Sequence, residues 1–210
     1  MANKKFSPAL TFFCCLLALI IGFIAAFALY TYLKRPAGGD VYVSGDLQIH
    51  FLELGNANTG DCVYIKAGET DILIDAGSRT NSVTTIDTYL QEQMKGDRTL
   101  EYVIATHAHQ DHIACFAGDG SNDSLFSLYD CATIIDFPQT AATTSVYGRY
   151  ITQRDSEVEA GATHYTALQC YNQTDGAQRV YELSDGITME ILYHDFYEEY
   201  PGDENNCSVC

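Results

Sequence analysis

Residues 103–118 read VIATHAHQDHIACFAG, and the six positions from His107 to His112 hold three of the six histidines in a chain of 210 residues. Imidazole is a neutral nitrogen ligand or a proton carrier near pH 7. Three imidazoles crowded beside the carboxylate of Asp111 are costly unless a cation holds them together, and a divalent metal is the simplest such cation. The apolar run before the cluster reads as a strand that ends at the histidines. On an extended segment, side chains two apart face the same way, so His107 and His109 can present both rings to one ion. Asp111 and His112 then project from the start of a following helix toward a second point. Such donors suit zinc, with manganese or iron as alternatives. Two ions held in this way could activate a water between them and polarise the bond it attacks. A loop of solvated or core-facing histidines is the competing reading, and the flanking context argues against it.

Upstream, DLQIHFLEL (46–54) alternates as a half-buried strand does, and CVYIKA (62–67) and DILIDAG (71–77) read as two more strands. The last of these ends at Asp75. A Gly/Asn-rich loop, GNANTGD, separates the first two. Residues 80–94, TNSVTTIDTYLQEQM, have the spacing of an amphipathic helix, and LEYVIAT runs straight into the cluster. Downstream come a polar loop (GDGSNDS), a strand ATIID at 132–136, a helix over 144–160 with Tyr147, Tyr150 and Ile151 on its apolar side, and a hairpin about Asp185-Gly186. NNCSVC is read as the start of a further strand. Alternating strands and helices together with hairpins predict a mixed α/β domain.

The first part of the chain is different material. Residues 9–33 run 25 positions without a charge. As a helix this is about 37 Å long, enough to span a hydrocarbon core of about 30 Å with some tilt. Lys4 and Lys5 precede the run; Lys34 and Arg35 follow it. Ala26-Phe27-Ala28 resembles a signal-peptidase site, so a cleavable signal is the rival reading, but the length and the closing basic pair favour an uncleaved anchor. The free amino end tips the nearly balanced charges toward a cytoplasmic N-terminus, which puts a single-pass protein in the cell membrane with its C-terminal domain outside. Residues 1–8 are then a short basic tail, 34–45 a linker, and 46–210 one globular domain large enough to bury a core.

All 28 acidic residues lie at or beyond Asp40, against seven Lys and Arg there, a formal charge of about −21. That surface disfavours tight nonspecific binding of nucleic acid. Six cysteines lie outside the apolar run (Cys62, Cys115, Cys131, Cys170, Cys207 and Cys210). Outside the cell they could pair as disulfides, and buried free thiols account for them equally well.

HxHxDH directly after an apolar strand, with LIDAG some thirty residues upstream, resembles the metallo-β-lactamase superfamily. More narrowly, FLELGNANTGDCVYIKAGETDILIDAG, VIATHAHQDHIA and LSDGITMEILYHDFYEEYPGDENNCSV are similar to the metal-hydrolase domain of ComEC-type competence proteins and their stand-alone relatives. The resemblance implies an αββα sandwich with two divalent metals, zinc in the first place, at one edge of its sheets. It makes His107 and His109 ligands of one metal and Asp111 and His112 ligands of the other, with Asp111 also counted as catalytic. Asp75 lies on the floor of the site and supports the ligands from behind; capping the turn before Gly77 is an even alternative for it. The implied activity is hydrolysis by a metal-bound hydroxide of a phosphodiester or related ester, in a small phosphorylated or cell-envelope substrate rather than nucleic acid, which the acidic surface disfavours; lactam hydrolysis is less favoured by the flanking motifs. A non-catalytic extracellular binding or assembly domain that keeps the fold is the alternative.

This chain departs from the pattern in two ways. GNANTGD replaces a compact glycine-glutamine turn, although Asp61 can still reach its usual place. The family's bridging aspartate, its distal histidine and its closing strands follow the segment that here ends at Cys210, so the chain as read is expected to lack them and to be impaired on its own. Of the other histidines, His194, read as ending a strand, is the candidate to approach the site, while His50, in a strand, and His164, in a polar loop, are read as structural.

Overall fold

The computed structural model describes residues 17, 20–23, 26, 47–55 and 60–210. The chain divides into two compact units, Met1–Val41 and Tyr42–Cys210. In the first, the described residues 17, 20–23 and 26 are helical and exposed. The remainder of the expected span and the expected linker at 34–45 lie outside the described residues. No helix among the described residues is long and apolar enough to cross a membrane.

The second unit is built on a six-stranded sheet in sequential order: β1 (Leu47–Phe51), β2 (Val63–Ala67), β3 (Thr70–Ile74), β4 (Thr99–Ala105), β5 (Asp130–Asp136) and β6 (Thr163–Thr166). The first three strands form an antiparallel meander, and β3 through β6 are parallel. The difference follows from the connections. A tight turn at Gly68 (φ +60°) reverses the chain between β2 and β3, whereas each parallel pair is joined by a helical crossover. These crossovers are α1 (Val83–Met94), then α2 (Gln110–Ala117) with the short α3 (Leu125–Leu128), then α4 (Ser145–Ala160). Each of the last two begins at a residue suited to the job: Ser124 and Thr144 accept hydrogen bonds from the backbone N–H groups of Phe126 and Tyr147.

Apolar burial fixes which face each element covers. Ile86, Leu90 and Met94 of α1, Ile113 and Phe116 of α2 and Tyr150 of α4 pack with Leu73, Val103 and Ile134 on one face of the sheet. On the other face Ile72, Ile104 and Ile135 meet Ala167 and Cys170 of α5 (Ala167–Asn172), Tyr181, Ile191 and Tyr197. Neighbouring residues of β3, β4 and β5 thus feed opposite cores, as the two-residue period of a strand requires. The second sheet is the hairpin β7 (Val180–Ser184) and β8 (Ile187–Glu190).

The mixed α/β class matches the expectation, while the second sheet of the expected αββα sandwich is, among the described residues, a two-stranded hairpin. Three local readings are corrected. NNCSVC does not open a strand: Glu204–Cys207 form a 3-10 turn, capped by Asp203, whose carboxylate accepts from Asn205 N–H. His164 lies in β6 rather than in a loop, and His194 stands four residues past β8, heading a 3-10 turn at Asp195–Tyr197. All six cysteines of this unit are free thiols, five of them buried and Cys210 exposed. Burial pushes the thiols of Cys62, Cys115, Cys131, Cys170 and Cys207 up, so they behave as apolar filler.

Candidate functional site

Parallel pairing brings the carboxyl ends of β3 and β4 to one sheet edge, the place where open α/β sheets present their sites. The chain leaves β3 at Asp75 and β4 at Thr106–His107, and Asp75 N–H donates to the Ile104 carbonyl at 2.8 Å. Asp75 has φ +56°, a left-handed conformation that aspartate tolerates better than most side chains. The turn it starts is stitched to the beginning of α2: Ala76 N–H donates to His112 O at 2.7 Å, and Cys115 N–H donates back to Ala76 O at 2.7 Å. Asp61 joins from the loop before β2, donating its N–H to Asp111 O and accepting from Gly77 N–H, both at 3.1 Å. These backbones lie so close that a Cβ on Gly77 would fall 1.5 Å from the Asp111 carbonyl oxygen. Glycine at 77 is a steric requirement of the site.

Asp75 is 3 % exposed and its carboxylate is fully engaged. It accepts from Thr106 N–H and from the Thr106 hydroxyl, both at 2.7 Å, and lies 2.7 Å from His112 Nδ1. A carboxylate can only accept, so Nδ1 carries the proton and the Nε2 lone pair of His112 points away from the protein floor. There it faces Asp61 Oδ2 at 3.7 Å and Asp111 Oδ2 at 4.0 Å. Burial works against a charge on His112, but the hydrogen bond to Asp75 and the charges of Asp75, Asp111 and Asp61 outweigh it and raise its pKa above the usual imidazole value. Three carboxylates converge on one imidazole, and the arrangement calls for positive charge.

The orientation of His107 follows from two hydroxyls. Its Nδ1 lies 3.1 Å from Thr106 Oγ1 and 3.2 Å from Ser208 Oγ. The Thr106 proton is committed to Asp75, and the Ser208 proton to Asn205 O at 2.8 Å. Both oxygens therefore accept, Nδ1 of His107 donates, and its Nε2 lone pair is turned to His109 Nδ1, 3.1 Å away. Burial, then the neighbouring His112 and His109, push His107 down to about 4, so its ring is neutral at pH 7. The rings of His107 and His112 lie 3.9 Å apart between centroids, those of His107 and His109 4.8 Å.

The donor chemistry fits a divalent metal in pairs. Two nitrogens on one tetrahedral zinc, each about 2.0–2.1 Å from it, stand about 3.4 Å apart, close to the 3.1 Å between His107 Nε2 and His109 Nδ1. His112 with Asp61 and Asp111 forms a looser second set. Among the described residues, however, no group of three or more His, Cys, Asp or Glu is placed to hold a metal ion. The four motif side chains expected to ligate two metals are thus brought together, but as adjacent pairs, each short of the three protein ligands of a catalytic zinc.

His194 does not add the missing donor. Its Nε2 donates to the Ser208 carbonyl at 2.9 Å and its Nδ1 accepts from Phe196 N–H at 3.2 Å, so both nitrogens are spent. Its effect is indirect, holding Ser208 against His107. His50 packs among Tyr64 and Tyr89, and His164 lies 2.8 Å from buried Asp136. Thr106 and Ser208 are the site residues that sequence reading missed. Thr106 could have been suspected from its place between strand and motif. Ser208 carries no local signal, since it reaches the site from 101 positions away in the chain.

The family model of the metallo-beta-lactamase superfamily matches residues 55–118, the stretch that holds Asp61, Asp75, Gly77 and the whole histidine motif. No curated protein matches the chain.

Proposed function

We propose that this domain is a metal-dependent hydrolase acting on phosphodiester or related ester bonds. The observation that carries the reading is the His107–His109 pair. Two ring nitrogens lie 3.1 Å apart, and the two hydroxyls on the far side of His107 direct its free lone pair into the gap. When bound, a divalent ion (zinc, or manganese or iron) supplies Lewis-acid stabilisation to negative charge developing on the substrate. His107 and His109 hold one ion, and Asp111 and His112 a second, with Asp61 beside them. Asp75 holds the His112 tautomer, as carboxylates behind metal-binding histidines do. Asp111, half-exposed beside His112, is the carboxylate assigned a catalytic role. The superfamily match over these residues supports the reading, as does the likeness of the wider motifs to ComEC-type domains. The charge-free run at 9–33 supports a membrane anchor with the domain outside the cell, and the acidic surface favours a small or envelope-derived substrate over long nucleic acid.

The absence of a three-donor group among the described residues favours a second reading, a binding or assembly domain that keeps the fold without the chemistry. One experiment separates the two. The full chain is loaded with zinc or manganese, and metal content and turnover of bis(p-nitrophenyl) phosphate are measured beside the His107→Ala/His109→Ala double variant. Bound metal with turnover, both lost in the variant, supports the hydrolase. No stoichiometric metal and no turnover supports the binding domain.

A further inference from the structure

The stretch NNCSVC (205–210) starts inside a turn and ends against the site, and the groups on either side of Ser208 are fixed in place. Asp203 heads the turn: its Oδ1 accepts from the Asn205 N–H at 3.0 Å and from the Asn205 side-chain amide at 2.9 Å. The Asn205 carbonyl in turn accepts the Ser208 hydroxyl proton at 2.8 Å. The Ser208 carbonyl accepts from His194 Nε2–H at 2.9 Å. The next N–H, that of Val209, donates to the carbonyl of Thr106 at 3.0 Å, the residue directly before His107. Ser208 is thus held from both sides.

What this fixed hydroxyl offers is a lone pair. Its proton is spent on Asn205, so Ser208 Oγ can only accept, and it lies 3.2 Å from His107 Nδ1. A neutral imidazole has one proton to place. On Nδ1, it leaves Nε2 as the lone-pair nitrogen, the one 3.1 Å from His109 Nδ1. The opposite tautomer would turn an N–H into that gap and set a bare Nδ1 against two oxygens whose protons point elsewhere. In a ring 3 % exposed, such unmade hydrogen bonds are costly. Thr106 divides its hydroxyl between Asp75 and two imidazoles, standing 3.4 Å from His112 Nδ1 as well. Among the described residues, Ser208 Oγ meets the ring of His107 alone.

We infer that Ser208 is a positioning residue for the metal-binding pair: it fixes His107 as the Nδ1–H tautomer, and His194 fixes Ser208. Metal affinity at His107 and His109 is then set by how the turn at 203–210 docks, a regulation of the site from 101 positions away in the chain. As a statement about metal affinity the inference rests on the proposed function; as a statement about the ring it stands alone.

The test needs no turnover. The full chain, labelled with ¹⁵N at histidine and stripped of metal, gives its tautomers at neutral pH through long-range ¹H–¹⁵N correlations of the rings. Zinc affinity is then measured by competition with a chromogenic chelator, and urea unfolding confirms that each variant is folded. The natural protein should show His107 as Nδ1–H. In Ser208→Ala the balance should move toward Nε2–H by about fivefold, the net worth of one hydrogen bond, and zinc should bind about tenfold more weakly. Ser208→Thr, which keeps the hydroxyl at a half-buried position, should restore both. His194→Phe, which keeps a ring but releases the Ser208 carbonyl, should move both in the same direction by less, and it stands in if Ser208→Ala does not fold. An Nε2–H ring in the natural protein, or a balance unchanged in the folded variants, overturns the inference whatever zinc does. So does a shifted balance with zinc affinity undiminished. A shifted balance with no zinc bound by the natural protein upholds the hold on the ring and sinks the hydrolase alone.

Discussion

His112 Nδ1 and Asp75 Oδ2 stand 2.7 Å apart, joining the end of one parallel strand to the helix that follows its neighbour. This contact sets which nitrogen of His112 is free, and Asp75 makes it from a left-handed backbone conformation. Asparagine tolerates that conformation and keeps one acceptor oxygen, but it lacks the second oxygen and the charge. Asp75→Asn should therefore leave the chain folded while lowering zinc affinity about 10- to 100-fold, read by competition against a chromogenic chelator. Affinity equal to that of the natural protein would show that Asp75 merely caps its turn.

Gly77 and Gly148 make opposite predictions for the same substitution. At Gly77 an added methyl collides with the Asp111 backbone at 1.5 Å, which no rotamer relieves. Gly77→Ala should cost about 3 kcal/mol or more and dislodge the start of α2, abolishing metal binding. At Gly148, exposed at the end of the first turn of α4, nothing lies within 4 Å, and alanine should add about 0.5–1 kcal/mol. Urea unfolding of both variants checks the pair.

Two histidines of the site should give the metal-free protein a stability maximum near pH 6.5. His107 is held down to about 4 in the native state, against about 6.5 in the unfolded chain. Between those values the unfolded state takes up a proton that the native state refuses, so stability falls as pH drops through that window. His112 runs the other way. Its native pKa is raised, so its contribution is complete below about 6.5 and is lost as pH rises through the native value. Urea midpoints measured in chelator from pH 4.5 to 8.5 should show both limbs. His107→Gln should flatten the acid limb and His112→Gln the alkaline one. An acid limb unchanged in His107→Gln would mean that this ring is not held neutral.

Local pattern carried the reading of the sequence a long way. The strands β2 to β5 announce themselves as apolar runs, α1 and α4 by their spacing, and the motif by its density of histidine. What sequence did not yield depends on contacts between distant positions. The tautomer of His107 depends on Ser208, 101 residues on, and His164 becomes a strand residue because β6 aligns it beside β5, where Asp136 waits. The misread NNCSVC shows a different failure. Alternation of Cys207 and Val209 imitates a strand, while Asp203-Glu204-Asn205 supplies the capping chemistry of a turn, and the cap prevailed.

Asp136 offers a test of the fold independent of the site. It ends β5, is 2 % exposed, and holds Arg154 Nη1 at 2.9 Å, His164 Nε2 at 2.8 Å and the Tyr150 hydroxyl at 3.1 Å. Arg154 comes from α4 and His164 from β6, so the carboxylate ties the last crossover to both strands it connects. Removing one partner of a buried pair strands the other charge, a loss of about 3–5 kcal/mol. Arg154→Met should therefore destabilise far more than Arg98→Met, whose pair with Asp87 lies at the surface and is worth about 1 kcal/mol or less. Adding Asp136→Asn to Arg154→Met should recover part of the loss, since no uncompensated carboxylate then remains. Denaturation of the four proteins side by side decides it. If Arg154→Met unfolds no more easily than Arg98→Met, Asp136 is reached by water in solution and the network does not tie α4 to the sheet.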